Sequence, residues 1–101
     1  MGSQAIDSVR SMQADVLVLG ACSASAARGL TSTLYEDALI KRASIESSAR
    51  RILVTLADKL NRTSNFRFGR PADLTHLVIT ADAPLELLTL FRDDGVEVIT
   101  V

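Results

Sequence analysis

The chain has 101 residues, 48% hydrophobic and 23% charged, which suits one folded domain around one core. With a formal net charge of -1, nothing in the charge balance favours nucleic acid or an anionic membrane as this segment's own partner. A single cysteine excludes an internal disulfide and points to a reducing, cytoplasmic setting; no apolar stretch reaches the roughly 18 residues of a membrane span, and the opening residues lack the order of a signal peptide.

The opening residues GSQAIDSVRSM place Ile6, Val9 and Met12 at helical spacing, with Ser3 as a candidate N-cap. A helix with no lead-in suggests that sequence is missing upstream. Asp15-Val16-Leu17-Val18-Leu19-Gly20 is an apolar run without polar alternation, the pattern of a strand covered on both faces. Residues 21 to 32 carry small and polar side chains and read as a loop. Thr33 and Glu36 have the spacing of a capping box, predicting a helix that ends near Arg50 and Arg51. Ile52 to Leu56 is the next buried strand. Residues 58 to 75 are rich in turn formers, with Phe66-Arg67-Phe68 as a short edge strand. Leu77 to Thr80 reads as a strand, Pro84 as a helix start, Gly95 as its stop, and Val96 to Val101 as a closing strand. The order predicts an α/β fold: an open, mostly parallel sheet with flanking helices, part of a three-layer, Rossmann-like arrangement. Ligands of such sheets bind beyond the carboxyl ends of the strands, here the loops after Gly20, Leu56 and Ile79.

The stretch GACSASAARGLTST, residues 20 to 33, is the first candidate site. Backbone N–H groups near a helix start, with hydroxyls of Ser23, Ser25, Thr31, Ser32 and Thr33, could hold a phosphate; the plain alternative is a connection. Neither G-x-G-x-x-G nor a P-loop lysine is present. Cys22 sits past a strand end, where a nucleophile could stand, but its only histidine partner, His76, opens a later strand; both read as structural. One Cys and one His do not make a metal site. The basic loop holding Lys59, Arg62, Arg67 and Arg70 could attract an anion or be a solvated surface. Glu36 and Asp37 suit a helix N-terminus.

ADVLVLGA (14 to 21), RGLTST (28 to 33), YEDALIKRASIESSARR (35 to 51), ILVTLADKL (52 to 60), LTHLVITADAP (74 to 84) and DGVEVITV (94 to 101) together resemble the C-terminal effector domain of DeoR-type sugar-operon repressors. The resemblance implies a fold similar to ribose phosphate isomerase and a partial domain over residues 1 to 101, without the family's N-terminal winged helix-turn-helix and first sensor strands. It implies a transcriptional regulator that senses a phosphorylated sugar, reaches operator DNA through the absent domain, and forms a homo-oligomer. The effector-binding set it implies is Gly20, Ala21, Cys22, Arg28, Gly29, Leu30, Thr31, Ser32, Thr33, Asp58 and Lys59, with Lys59 as first and Arg28 as second phosphate counter-charge. It implies no cofactor and no metal. The alternative is a sugar-phosphate isomerase-like enzyme or a fragment of one. Against it, Cys22 and Ser23 stand where the isomerases carry acids, Arg28 replaces their lysine, and Asp37 is the one remnant acid, so no catalytic residue is assigned.

Overall fold

A computed structural model describes residues 2–20 and 23–101. Its elements, in chain order, are α1 (Gly2–Arg10), β1 (Ala14–Gly20), β2 (Ser23–Ser25), β3 (Gly29–Ser32), α2 (Tyr35–Glu46), β4 (Ser48–Thr55), β5 (Phe66–Gly69), β6 (His76–Ile79), α3 (Leu85–Asp93) and β7 (Glu97–Thr100). One-turn 3₁₀ helices at Ala57–Lys59 and Pro71–Asp73 punctuate the path between β4 and β6. β1, β4, β6 and β7 form a four-stranded sheet in that spatial order, every pair parallel. β2, β3 and β5 form a second, antiparallel sheet with β3 at its centre and β5 at an edge. The chain is therefore α/β, with a mostly parallel sheet and flanking helices, as the strand–helix alternation predicts.

Side chains alternate along the parallel strands, and one alternating set makes the core. Leu19, Leu53, Leu77 and Ile79 pack with Ala38 and Ile45 of α2, Leu88 and Phe91 of α3, and Ala24, Leu30 and Phe68 of the small sheet. The other set is bare: Val16 is 47% exposed, Val18 63%, Val54 45% and Ile99 42%. Strand coverage on both faces was the expectation, and it fails for a topological reason. The strand order advances in one direction without reversing, and right-handed crossovers in one direction place successive helices on the same side.

Three local expectations are also corrected. Residues 23 to 32 form a hairpin instead of a loop, because small side chains there pack into the core; Ala24 and Leu30 are fully buried and Thr31 nearly so. The α2 helix ends at Glu46, four to five residues before the arginines assigned to its last turn. Ser44, Ser47 and Ser48 each donate a hydroxyl to the carbonyl four residues back, at 2.8, 2.9 and 2.7 Å, which caps the last turns and frees the chain to enter β4. Arg51 then lies in β4, where its guanidinium donates to the Asp73, Ser48 and Ala49 carbonyls and pins the strand to the loop before β6. Finally, α1 begins at Gly2, so Ser3 lies within it and not before it. The stop at Gly95 is as expected: its φ of +86° follows directly on α3, in the left-handed region that suits glycine.

Candidate functional site

The carboxyl ends of the parallel strands meet at one rim. β1 ends at Gly20, which pairs with Val54; β4 ends at Thr55, β6 at Ile79 and β7 at Thr100. On this rim a cavity of about 370 Å3 is lined by Val54, Thr55, Leu56, Lys59, Val78, Thr80 and Val101. Its floor is apolar strand surface, and Lys59, Thr55 and Thr80 are the polar residues of its lining. Such a mixture, an apolar surface with a few placed polar groups, is what small-ligand sites share.

Each polar group has a definite structural setting. Thr80 Oγ1 accepts the Ala57 N–H at 2.9 Å, which ties the 3₁₀ turn to the end of β6. Thr55 Oγ1 is buried with no hydrogen-bond partner among the described residues. A buried hydroxyl left unpaired costs about 1–3 kcal/mol, and Thr55, next to the exposed Val54 in an extended strand, faces the core with Leu53. Lys59 closes the 3₁₀ turn, and its neighbour Leu60 is anchored in the core at 6% exposure. The parallel bridge between Ala24 and Leu60 and the Asn61 N–H bond to the Ala24 carbonyl at 2.6 Å fix this turn against β2. That register sets Lys59 abreast of Ser23, just past the end of β1. Asp58, its sequence neighbour, is exposed and does not line the cavity.

The other residues assigned from the sequence separate. Ala21 and Cys22 lie outside the described residues. Thr31 pairs with Ser23 and accepts the Ser64 N–H on its hydroxyl at 2.8 Å, and Ser64 Oγ donates to Ser23 Oγ at 3.4 Å. These hydroxyls stay near the rim but hold the long loop to the hairpin. Leu30 is a core residue at 0% exposure. Gly29 and Arg28 lie at the far turn of the hairpin, where Arg28 lines a different hollow from Lys59.

The start of α2 does not provide the expected cradle. Thr33 is exposed, and the residue before the helix, Leu34, makes no side-chain cap. Ser32 takes over the polar work: it accepts the Leu34 N–H at 3.4 Å and donates to Asp37 Oδ2 at 2.6 Å. Lys41 Nζ stands 2.9 Å from the same carboxylate oxygen. The Ser32 hydroxyl, and then Lys41, hold the Asp37 carboxyl below its ordinary value. A carboxylate kept ionised by a hydroxyl and an ammonium is a poor proton shuttle at neutral pH, so the one remnant acid of the isomerase pattern is used as a helix-start lock. His76 is likewise engaged in the framework, with Nε2 2.9 Å from Glu97 Oε2 and Nδ1 2.9 Å from Thr75 Oγ1. Among the described residues no group of three or more His, Cys, Asp or Glu is placed to hold a metal ion, and no helix is long and apolar enough to cross a membrane.

Lys59, assigned from the sequence, lines this cavity, and so does Thr55, which was not assigned. Comparison with known proteins bears on what such a rim is for. Residues 1–81 match the family model of the DeoR C-terminal sensor domain. The chain is also 30% identical over 100 residues to a protein of Escherichia coli O157:H7 named as an aga operon transcriptional repressor. That match covers 99% of this chain and 37% of the relative's length, so the chain spans little more than a third of the curated relative it matches. The order of strands, the rim and the family match agree, and the chain belongs to the DeoR C-terminal sensor domain family.

Proposed function

We propose that this chain is the effector-sensing part of a DeoR-type transcriptional regulator of sugar metabolism, that it is a binding module and not an enzyme, and that its effector is a phosphorylated sugar. The observation that carries the reading is that Lys59 and Thr80 line one cavity at the carboxyl ends of the parallel strands. Lys59 is the counter-charge for the phosphate, and the Thr80 hydroxyl meets a sugar oxygen. The isomerase alternative loses support because Asp37 is committed to Ser32 and Lys41, and Arg28 lines another hollow.

The regulator reaches operator DNA through a winged helix-turn-helix outside these residues, acts in the cytoplasm and assembles as a homo-oligomer. The bare face formed by Val16, Val18 and Ile99, away from the cavity lining, supports a longer sensor domain, in which a preceding segment covers it. Effector binding changes operator affinity only by favouring one of two conformations; a ligand with equal affinity for both shifts nothing. The test is a panel of sugar phosphates and their unphosphorylated counterparts on the full-length regulator. A phosphorylated member should raise the melting temperature where its parent sugar does not, and a panel without effect contradicts the reading.

A further inference from the structure

We propose that Arg28, Arg67 and Arg70 form a second anion site, separate from the rim, that takes a small phosphate dianion of the monoester class. In sequence the basic residues of 58 to 75 look like one loop. The fold divides them. Lys59 goes to the rim, while Arg67 and Arg70 join Arg28 around a hollow of about 310 Å3 whose walls also include Pro71 and Asp94. Three arginines thus line one hollow from three points of the chain: the β2–β3 turn, β5, and the residue after β5.

Their placement is built by the backbone. A Cβ on Gly29 would stand 2.6 Å from the Gly69 carbonyl oxygen and 2.9 Å from Arg67 Cδ, so glycine there lets the Arg67 stem lie across the hairpin. The Arg28 N–H donates to Ser25 Oγ at 3.1 Å and fixes the turn. The Arg70 N–H donates to Asp73 Oδ2 at 2.8 Å, and its guanidinium lies 3.6 Å from Asp73 Oδ1. Asp73 also holds Arg42, at 3.3 Å. Among the described residues, Arg28 and Arg67 form no ion pair, so their charge is available to a ligand. Guanidinium forks match phosphate oxygens in pairs, and several of them suit a dianion. Their convergence on one hollow favours a small ligand over the row of phosphates of a duplex, and Asp94, also a lining residue, opposes any anion there and is outnumbered by the three arginines. The hollow has no lining residue in common with the rim cavity, so this site stands or falls independently of the effector reading.

The test is titration of the full chain with inorganic phosphate and then with glycerol 2-phosphate, following arginine Nε–H resonances by NMR. Saturable shifts of Arg28, Arg67 and Arg70 are expected. Arg28→Ala should weaken binding about tenfold, the loss expected for one charge-assisted contact. Arg67→Lys keeps the stem over Gly29 and the charge but loses the fork, so it should weaken binding with the melting temperature unchanged, while Arg62→Ala leaves binding as in the parent chain. Unsaturated drift that is the same in parent and variants means an adventitious ion only and overturns the proposal. Loss of the arginine shifts in Lys59→Ala also overturns it, because the phosphate then reads the rim. A DNA duplex that shifts the same arginines at lower concentration than glycerol 2-phosphate overturns the assignment to a small ligand.

Discussion

Ser32 Oγ donates a hydrogen bond of 2.6 Å to Asp37 Oδ2, and through it β3 is locked to the first turn of α2. Ser32 is buried and Asp37 is held below its ordinary carboxylate value by that hydroxyl and by Lys41. Ser32→Ala should cost about 1 kcal/mol at neutral pH, the usual worth of one hydrogen bond to a charged group that is partly screened. Urea unfolding measures it.

The same pair sets an acid limb. Asp37 is lowered on folding, so its contribution is present above the unfolded value of 3.8 and is lost as pH falls through the lower native value. The stability gap between the parent chain and Asp37→Asn should therefore narrow as pH falls from about 5 to about 2. A gap that widens with acid contradicts the assignment of charge.

Gly29 has a φ of +97°, and an added Cβ would stand 2.6 Å from the Gly69 carbonyl oxygen. Gly29→Ala should destabilise by about 2 kcal/mol or more, from left-handed strain and a backbone clash together. At Gly20 an added Cβ meets nothing nearer than the Val54 carbonyl oxygen at 3.9 Å, so Gly20→Ala should stay within about 0.5 kcal/mol. Equal losses at the two positions would show that the hairpin geometry is wrong.

Much of this fold could be read from the residues. Val16 and Val18, Ile52 to Thr55 and Leu77 to Ile79 announced strands by β-branched apolar runs, though not that one face is bare, and Pro84 and Gly95 bracketed α3. The β2–β3 hairpin was hidden because Ser25, Thr31 and Ser32 are buried polar residues, satisfied by the Arg28 N–H within the turn, by the distant Ser64 and by Asp37 of the next helix. The end of α2 was hidden because serine hydroxyls, not a glycine or proline, close it. At the site, Lys59 was legible as a cation after a strand end. Thr55 was not assigned, because a buried hydroxyl without a partner shows only in the packing. Arg28 misled because sequence order put it beside the Gly20 loop, whereas the hairpin carries it to the opposite turn.

Val18 tests whether the bare face belongs to a larger domain. In the 101-residue chain it is 63% exposed, so Val18→Ser should cost no more than about 0.5 kcal/mol. In the full-length regulator, with that face covered, the same change should cost about 2 kcal/mol from lost burial and a buried hydroxyl. Equal small costs in both would mean that nothing packs there.

The central claim is that Lys59 reads the effector's phosphate at the rim, and operator release tests it most directly. With the phosphorylated sugar that stabilises the full-length regulator, the parent protein should release its operator, and Lys59→Ala should need about tenfold more of it or greater. Operator affinity without effector should be the same in both. Release by Lys59→Ala at the parent concentration would contradict the account.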